Sequence, residues 1–396
     1  MRLLILTQYY PPEIGAAQTR LCALTRALVT RGHVVEVVTA MPNHLAPRTF
    51  EGYRGRLYMR ETLDGAAVHR TWVYPATGTG LRRMMNYLSF TCTSFIGLAR
   101  AKRPDAVFVE SPPLFLSVPG WIAATVWRAP LIFNVADLWP DAVREFGVIR
   151  DGPFLAAAER LESWAYRRAT TVNAITESMR AELRERKGVP ATKLRFLPNG
   201  VDVERLQPRE RSTALAARLG LDARPVFLYV GTHGIAHALH VLVGAAALVP
   251  QAQVVFVGGG TTKAALRELA RNVENVRFVD PVPLDELPDY FSLACASVVP
   301  LTRSRHNHGA RPAKLFSSLA CGVPVIYSGD GEGAGIVQDA RAGIVVAPED
   351  PRAIAQAMLR LMDDPIERGQ MSQRARALAV ERFAWSKIVD GWLASL

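Results

Sequence analysis

The chain has 396 residues, of which 49% are hydrophobic and 21% charged, and its formal net charge is +11. This composition excludes an intrinsically disordered chain, and the length suits two domains of roughly 200 residues each. No run of about 20 apolar residues predicts a membrane span, and the first residues do not suit a signal peptide, so we expect a cytoplasmic protein.

The first half of the chain predicts a parallel α/β domain. Residues 2–7 form a short apolar run that meets Tyr9-Tyr10-Pro11-Pro12, which is typical of a buried strand ending in a loop. Apolar residues at helical spacing predict a helix over residues 17–30, and a β-branched run predicts a strand at 34–38. This order is a βαβ unit. Further strands are predicted at 106–109, 130–135 and 170–174.

The same order restarts in the second half. A strand is predicted at 226–230, and it is followed by Gly231-Thr232-His233-Gly234 and a helix near 238–248. Later strands are predicted at 253–257, 276–279, 296–299, 324–328 and 343–346. Helices are expected between them and over 351–362 and 366–396. The sequence therefore predicts a second doubly wound α/β domain.

A turn-rich stretch, Leu197-Pro198-Asn199-Gly200-Val201-Asp202, suits a linker between the two domains. We predict an N-terminal domain over 1–196 and a C-terminal domain over 197–396, with the last helix, about 380–396, packing back on the first domain. Open α/β sheets bind ligands at the carboxyl ends of their strands. The glycine turns at Gly15 and Gly231 are therefore expected to face a cleft between the domains.

Four cysteines lie among apolar residues without the spacing of a metal or redox site, and we expect buried free thiols. They are Cys22, Cys92, Cys295 and Cys321.

Several short motifs follow one another along essentially the whole chain. They are Gln8-Tyr9-Tyr10-Pro11-Pro12-Glu13, Asp137-Leu138-Trp139-Pro140, the linker stretch, Tyr229-Val230-Gly231, Pro312-Ala313-Lys314-Leu315-Phe316 and Gly322-Val323-Pro324-Val325-Ile326. With this ordered set the chain resembles the retaining glycosyltransferases of family 4. Their fold, GT-B, consists of two Rossmann-like doubly wound parallel-sheet domains facing a cleft. The chain is most similar to the branch of fucosamine-type transferases of O-antigen and capsule synthesis.

The resemblance implies a reaction. A sugar would move from a nucleotide diphosphate sugar to a lipid-linked or glycan acceptor, with retention, in envelope polysaccharide synthesis. The first domain would bind the acceptor and the second domain the donor. The family stabilises the departing diphosphate with basic side chains and with N–H groups at helix N-termini. Because no Asp-x-Asp motif is present, we expect no metal, and no cofactor besides the donor substrate.

The resemblance also assigns residues. Lys314 and Asp137 are the catalytic candidates, although Asp137 is equally explained as a helix cap and Trp139 is better explained by packing. Arg311 is expected on one helical turn with Lys314, where both would neutralise the diphosphate. The donor site is predicted to contain Gly15, Gly231, Thr232, His233, His237, Arg311, Lys314, Ser317 and Glu332. The acceptor site is predicted to contain Glu13, Gly15, Ala16, Asp137 and Trp139.

Some residues depart from the family pattern. Ile235 and His237 stand where the family has an Arg and then a Lys or Gln, and Ser317 replaces a ribose-binding Glu, for which Glu332 would substitute. Clustered histidines could supply the missing charge if they were protonated between about pH 5 and 8, or they could be unrelated loop residues. These histidines are His233, His237, His240, His306 and His308.

The departures leave three alternatives open. The chain could be a non-catalytic partner subunit with a degenerate donor site, or a sugar-nucleotide 2-epimerase with the same fold. A loose dinucleotide fingerprint, Gly329-x-Gly331-x-x-Ala334, leaves a nicotinamide-dependent oxidoreductase as the third.

Positive charge is concentrated in the first half. Residues 1–200 contain 26 Lys and Arg against 16 Asp and Glu, whereas residues 201–396 contain 21 against 20. Residues 84–99 carry no charge and have basic residues at both ends, which suits an interfacial helix, with a core helix as the alternative. We expect peripheral association with the inner face of the cytoplasmic membrane. Nucleic-acid binding is not expected, because aromatic residues are not interleaved with the basic ones.

Overall fold

The structure is a computed structural model, and it describes residues 1–13, 15–43, 46, 48–78, 80–141, 144 and 152–396. The side chains of Ala16, Arg305 and His306 lie outside this description. The chain divides into two compact units. The first unit is Met1–Pro198 with Val389–Leu396, and the second unit is Asn199–Ile388.

The first unit is built on an eight-stranded sheet in the order β3-β4-β2-β1-β5-β6-β7-β8. Neighbouring strands are parallel, except that β3 and β4 form an antiparallel hairpin at one edge. The strands are β1 Arg2–Leu6, β2 Val34–Ala40, β3 Tyr58–Leu63, β4 Ala66–Thr71, β5 Ala106–Ser111, β6 Leu131–Val135, β7 Thr171–Ala174 and β8 Leu194–Phe196. Nearly every residue of β1, β5 and β6 is buried, as expected for central parallel strands that are covered on both faces.

The described residues of the Met1–Pro198 part define the bounds of five helices. They are α1 Ala16–Thr30, α2 Leu81–Leu98, α3 Ser117–Trp127, α4 Pro153–Arg168 and α5 Glu177–Glu185, with 3-10 turns at Leu114–Leu116 and Ala191–Lys193. The segment Val389–Leu396 completes the unit. Its Trp392 is buried, donates from Nε1 to Oδ1 of Asn173 (3.2 Å) and packs edge-on against Phe108.

The second unit contains a six-stranded parallel sheet in the order β11-β10-β9-β12-β13-β14. The strands are β9 Val226–Val230, β10 Gln253–Val257, β11 Val276–Val279, β12 Ala294–Pro300, β13 Val325–Ser328 and β14 Gly343–Val346. The strand order reverses between β9 and β12. Ligands of doubly wound sheets bind outside the carboxyl ends of the strands at such a switch point.

The helices of the second unit alternate with its strands. They are α6 Thr213–Arg218, α7 Leu239–Leu248, α8 Lys263–Leu269, α9 Leu287–Ser292, α10 Arg305–His308, α11 Ala313–Ala320, α12 Glu332–Asp339, α13 Pro351–Asp363, α14 Pro365–Leu378 and α15 Trp385–Ser395, the last of which continues into the first unit. Short 3-10 turns lie at Ile235–His237 and Leu284–Glu286, and a π-helical turn lies at Ala379–Phe383.

The predicted fold class is confirmed, since both units are doubly wound α/β structures. Two predictions on smaller features are wrong, and one element was missed. The β3–β4 hairpin was not expected, and the single helix predicted over 366–396 is interrupted by the π-helical turn and the residue after it. Cys92 is exposed, and Cys22 and Cys295 are only partly buried, although all four cysteines are free thiols.

The uncharged stretch over residues 84–99 forms most of α2. Within the described ranges, no helix has the length and apolarity that a membrane crossing requires.

Candidate functional site

A glycine turn follows the first strand of the second unit. We call residues Gly231–Ala238 the Gly231 loop. Its backbone lies against the glycine turn after β10, since Gly231 N donates to Val257 O (2.9 Å) and His233 N donates to Gly259 O (2.8 Å). Gly258 has a φ of +142°, and a Cβ there would lie only 2.0 Å from the carbonyl oxygen of Gly231. The close approach of the two turns therefore requires glycine.

Lys314 lies in the first turn of α11 and reaches the Gly231 loop. Its Nζ is 3.5 Å from Nδ1 of His237 and 5.4 Å from the ring centroid of Tyr229. Among the described residues, no carboxylate forms a salt bridge with this lysine, and no side chain caps the helix. A cation beside a helix N-terminus is favourable only if an anion joins it. This corner of the switch point is therefore arranged for an anionic ligand.

Burial lowers the pKa values of three side chains at this corner of the second unit. It lowers the pKa of Lys314 to about 8. Burial and the positive charge of Lys314 lower the pKa of His237 to about 4. Burial, with Lys263 and Arg267 nearby, also lowers the pKa of His233 to about 4. These pKa values favour the neutral form of both imidazoles between about pH 5 and 8, and the hypothesis that they supply the missing positive charge stays a prediction.

His233 is a core residue. Its buried ring packs against Tyr229, Phe256 and Phe278. Neither ring nitrogen has a hydrogen-bond partner among the residues that the structure describes. The predicted donor contact through this side chain is therefore not what the structure shows. Its exposed neighbour Thr232 accepts a hydrogen bond at its carbonyl oxygen from the Tyr229 hydroxyl (2.6 Å), which fixes the loop.

Arg311 does not share a helical turn with Lys314, so that prediction is wrong. It precedes Pro312, the N-cap residue of α11, and its guanidinium lies over the rings of Phe316 and Phe383. A residue before proline is biased away from helical backbone angles, which is why the helix begins after it. The diphosphate contact predicted for Arg311 stays a prediction.

The other predicted donor residues lie on neighbouring elements of the second unit. Ser317 is in the second turn of α11, where its hydroxyl donates to the Ala313 carbonyl (3.2 Å). Glu332 begins α12, directly after the loop that follows β13. Both lie on the carboxyl side of the sheet, and their ribose-binding roles stay predictions.

An open cavity of about 410 Å³ lies beside the Gly231 loop, at the carboxyl ends of β12 and β13. This volume falls within the roughly 300–1,000 Å³ of small-molecule sites. Its polar lining residues are Thr302, Arg303, Ser304, Asn307, His308 and Asp330. Thr302 N donates to Ala236 O (3.1 Å), which ties the cavity wall to the loop that Lys314 contacts.

The first unit has its own glycine turn at Gly15, the N-cap residue of α1. A Cβ on Gly15 would lie 2.4 Å from Oε1 of Gln18. Gln18 is buried, and its Nε2 has no partner among the residues described. Gln18 was not predicted from the sequence, where its only signal is a polar residue one turn into an apolar helix. The neighbouring Ala16 side chain, a predicted acceptor contact, lies outside the described part.

A buried ion pair lies further along α1 and was also missed. Arg20 forms a salt bridge with Glu110 near the end of β5, and Asn134 Nδ2 on β6 donates to the same carboxylate (2.8 Å). The signal was available, because Glu110 and Asn134 interrupt otherwise apolar strands. Their burial and mutual pairing make them a structural polar cluster.

Glu13 is buried, and its carboxylate accepts hydrogen bonds from Asn43 N (2.6 Å) and Tyr10 N (3.4 Å). It therefore ties together the loops after β1 and β2. Nearby, Arg83 of α2 donates to the Tyr9 hydroxyl (2.6 Å). The acceptor contact predicted for Glu13 stays a prediction, on a carboxylate that already holds backbone N–H groups.

Asp137 lies half-buried in the loop after β6, where its carbonyl oxygen accepts from Trp139 N (3.0 Å). Trp139 itself is buried and packs edge-on against Phe115, so packing, the alternative to acceptor binding, is what the structure shows. The same loop continues to Asp141, which forms a salt bridge with Lys187 (2.7 Å). Although burial alone would raise it, the cations leave the pKa of Asp141 below its ordinary value.

Two doubly wound units with a glycine turn after each first strand agree with the GT-B fold of glycosyltransferases. Residues 15–200 match the family described as "Glycosyl transferase 4-like domain", and residues 224–364 match "Glycosyl transferases group 1". The chain is 30% identical to the D-inositol 3-phosphate glycosyltransferase of Salinispora arenicola, over 96% of this chain and 86% of that protein. The chain therefore belongs to the glycosyltransferase family that these two domain descriptions name.

Two further similarities are informative. The putative colanic acid biosynthesis glycosyl transferase WcaI of Escherichia coli is 28% identical, over 83% of this chain and 84% of that protein. The solved structure of Anabaena HepE in complex with UDP-glucose superposes with a TM-score of 0.72 over the full length of both chains at 18% identity. At this identity the structural match supports the GT-B fold.

Proposed function

We propose that the protein transfers a sugar from a nucleotide diphosphate sugar to a lipid-linked or glycan acceptor, with retention and without a metal, in the synthesis of an envelope polysaccharide. The observation that carries this proposal is Lys314, a cation without a carboxylate partner in the described structure, set against a glycine turn at the switch point. The similarity to WcaI, which is named for colanic acid biosynthesis, supports the pathway.

The second unit is the proposed donor side. Lys314 Nζ and the first N–H groups of α11 would neutralise the charge that develops on the departing diphosphate. His237, 3.5 Å from that Nζ, would gain a proton as the phosphate approaches, because a nearby anion raises the pKa of an imidazole. The cavity at the ends of β12 and β13 would hold the sugar. The first unit is the proposed acceptor side, with Asp137 positioning the attacking hydroxyl.

Calorimetry with a panel of UDP-, GDP-, dTDP- and CMP-sugars tests the donor site. We expect one nucleotide class to bind saturably, and Lys314→Ala to weaken it by about tenfold or more, as expected for the loss of a charged hydrogen bond. Lys387→Ala removes an exposed positive charge from the same unit and serves as the control. Magnetic resonance of the product anomer then tests retention.

Other outcomes favour the alternatives. If a well-folded protein binds none of these donors, a non-catalytic partner subunit becomes the better conclusion. Conversion of the donor itself into an epimer, with no acceptor present, would favour the 2-epimerase. Thermal stabilisation by a nicotinamide dinucleotide, without stabilisation by any sugar nucleotide, would favour the oxidoreductase.

We also propose that the protein works at the inner face of the cytoplasmic membrane as a peripheral protein. The excess of 26 basic over 16 acidic residues in residues 1–200 supports this location, since anionic lipid attracts basic surfaces. A lipid-linked acceptor would be presented at the same interface.

A further inference from the structure

Helix α2 presents several of its large apolar side chains to solvent. The spacing of alternately four and three residues aligns them in one stripe along the helix. The stripe consists of Leu81, Met85, Leu88, Cys92 and Phe95, and its four larger members are between 39% and 78% exposed. The buried face consists of Asn86, Phe90, Ser94, Gly97 and Leu98. Helices of water-soluble domains normally have the opposite arrangement, with the polar face outward.

The buried face fixes the orientation of α2. The Asn86 side chain accepts from Gln8 Nε2 (2.6 Å) and donates to the carbonyl oxygen of Tyr74 (2.6 Å). A Cβ on Gly97 would lie 2.7 Å from Cγ1 of Val38, so the helix packs too closely there for a larger residue. Rotating the apolar stripe inward would break these hydrogen bonds and create this clash. The stripe is therefore held outward by the packing of the first unit.

Two further apolar residues lie beside α2 at the hairpin edge of the sheet. Thr93 of α2 donates from Oγ1 to the carbonyl oxygen of Trp72, and Trp72 N donates to the Leu57 carbonyl (2.9 Å). Trp72 and Leu57 are 41% and 60% exposed. We call the stripe together with Trp72 and Leu57 the α2 face. It is larger than the scattered single exposed apolar residues that are normal on a protein surface.

The charged residues of α2 and of the chain on either side of it have one sign. No Asp or Glu occurs from Gly65 to Pro104. Exposed basic residues stand at both ends of the helix, and within the described chain no carboxylate forms a salt bridge with them. They are Arg82, Arg100, Lys102 and Arg103. An apolar stripe with basic ends matches the interface of an anionic bilayer, where tryptophan is also favoured.

We propose that the α2 face docks on an anionic phospholipid bilayer, with α2 lying in the plane of the interface. The inference rests on the membrane location in the proposed function and assigns the membrane contact to the α2 face. It also brings the acceptor side to the lipid, because Arg83 of the same helix contacts the Tyr9 hydroxyl in the loop that holds Glu13. A lipid-linked acceptor would reach that loop without leaving the bilayer surface.

Co-sedimentation with vesicles of phosphatidylcholine, and of phosphatidylcholine mixed with phosphatidylglycerol, tests the α2 face. We expect binding only to the anionic vesicles. Leu88→Gln with Phe95→Gln should weaken binding by more than about tenfold, since each removes a side chain that would be buried in lipid. The matched control is Leu248→Gln with Ile366→Gln, two exposed apolar residues of the second unit.

A charge pair completes the test. Arg82→Gln with Arg100→Gln should weaken binding by roughly fivefold for each arginine, and added salt should remove this difference. Arg167→Gln with Arg184→Gln, exposed on other helices of the first unit, should bind like the unchanged protein. All four variants change exposed side chains, so their thermal midpoints should match that of the unchanged protein.

Three results would overturn the proposal. They are no binding of the unchanged protein to anionic vesicles, equal loss in stripe and control variants, or a dimer in solution that the Leu88 and Phe95 changes dissociate. Calorimetry with the sugar-nucleotide panel distinguishes failure of the α2 face proposal from failure of the transferase proposal. A protein that binds anionic vesicles but no donor would refute the donor site and support the α2 face. A protein that binds a donor but no vesicles would support the donor site and refute the α2 face.

Discussion

The two units place a glycine turn after their first strand but surround it with charge in different ways. In the first unit, the helix after the turn carries Arg20, which is buried and paired with Glu110. In the second unit, Lys314 beside the turn has no carboxylate partner among the described residues. Yet the first half of the chain holds nearly all of the net positive charge. The net charge of each half therefore does not indicate which glycine turn has beside it a cation that lacks a carboxylate partner in the described structure, whereas the pairing of individual cations does.

The largest expected effect of this difference is on stability. Arg20→Met should lower the free energy of unfolding by about 3–5 kcal/mol, because it leaves the Glu110 carboxylate buried without its cation. Urea denaturation followed by tryptophan fluorescence measures the loss. The double variant Arg20→Met with Glu110→Leu should recover most of it. A single variant as stable as the unchanged protein would show that the pair is not the structural element we describe.

Lys314→Met should behave in the opposite way. We expect roughly ten- to hundredfold weaker donor binding, and a free energy of unfolding that is unchanged or raised by about 1 kcal/mol, because a half-buried cation without a carboxylate partner is replaced by an apolar side chain. Calorimetry and urea denaturation of the same preparation measure both quantities. If Lys314→Met lowered the free energy of unfolding as much as Arg20→Met, the proposed difference between the two cations would be contradicted.

The pH dependence sharpens the same contrast. The pKa of Lys314 is about 8, below its ordinary value of 10.5. Donor binding needs the cation, so affinity should be full below about pH 8 and fall by up to tenfold per pH unit above it. Stability should change in the other direction, because between pH 8 and 10.5 the unfolded chain holds the proton more tightly, so unfolding becomes harder as pH rises. Titrations of Lys314→Met should lack both trends.

The smallest expected effect concerns the two glycines themselves. Gly231 has a φ of +138°, and a Cβ there would lie 3.0 Å from Cε of Lys314, so Gly231→Ala should cost about 1 kcal/mol of stability. Gly15 has an ordinary extended φ of 174°, and its added Cβ would meet only the flexible end of Gln18. Gly15→Ala should therefore cost less. Thermal midpoints compare the two, and an equal loss would contradict this account.

Four strands were predicted at their observed bounds, two of them fully buried and two, Val276–Val279 and Gly343–Val346, only partly buried at the edges of the sheet. Val226–Val230 and Gln253–Val257 are continuous apolar runs bounded by glycine or proline signals, and they were predicted at their observed bounds. The hairpin of β3 and β4 was missed because Tyr58–Leu63 has two adjacent charged residues and lies at a sheet edge. Its signal was Asp64-Gly65, a two-residue turn between the strands.

The candidate site was predictable only in part. The family motif identified Lys314, but its neighbours depend on the meeting of three loops, which no local pattern shows. The neutrality of His237 follows from burial beside that lysine, a tertiary property. The position of Arg311 could have been corrected from the sequence, because the residue before Pro312 disfavours a helix. The orientation of α2 depends on which face of the helix packs against the sheet, and both faces contain apolar residues.

The segment Val389–Leu396 belongs to the first unit although it follows the second unit along the chain. A recombinant fragment that stops at Pro198 would lack Trp392, which fills a site against Phe108 and Asn173. The first unit therefore cannot be expressed intact as one uninterrupted stretch. During translation the site for Trp392 would stay unfilled until the ribosome has synthesised the second unit and then the segment Val389–Leu396.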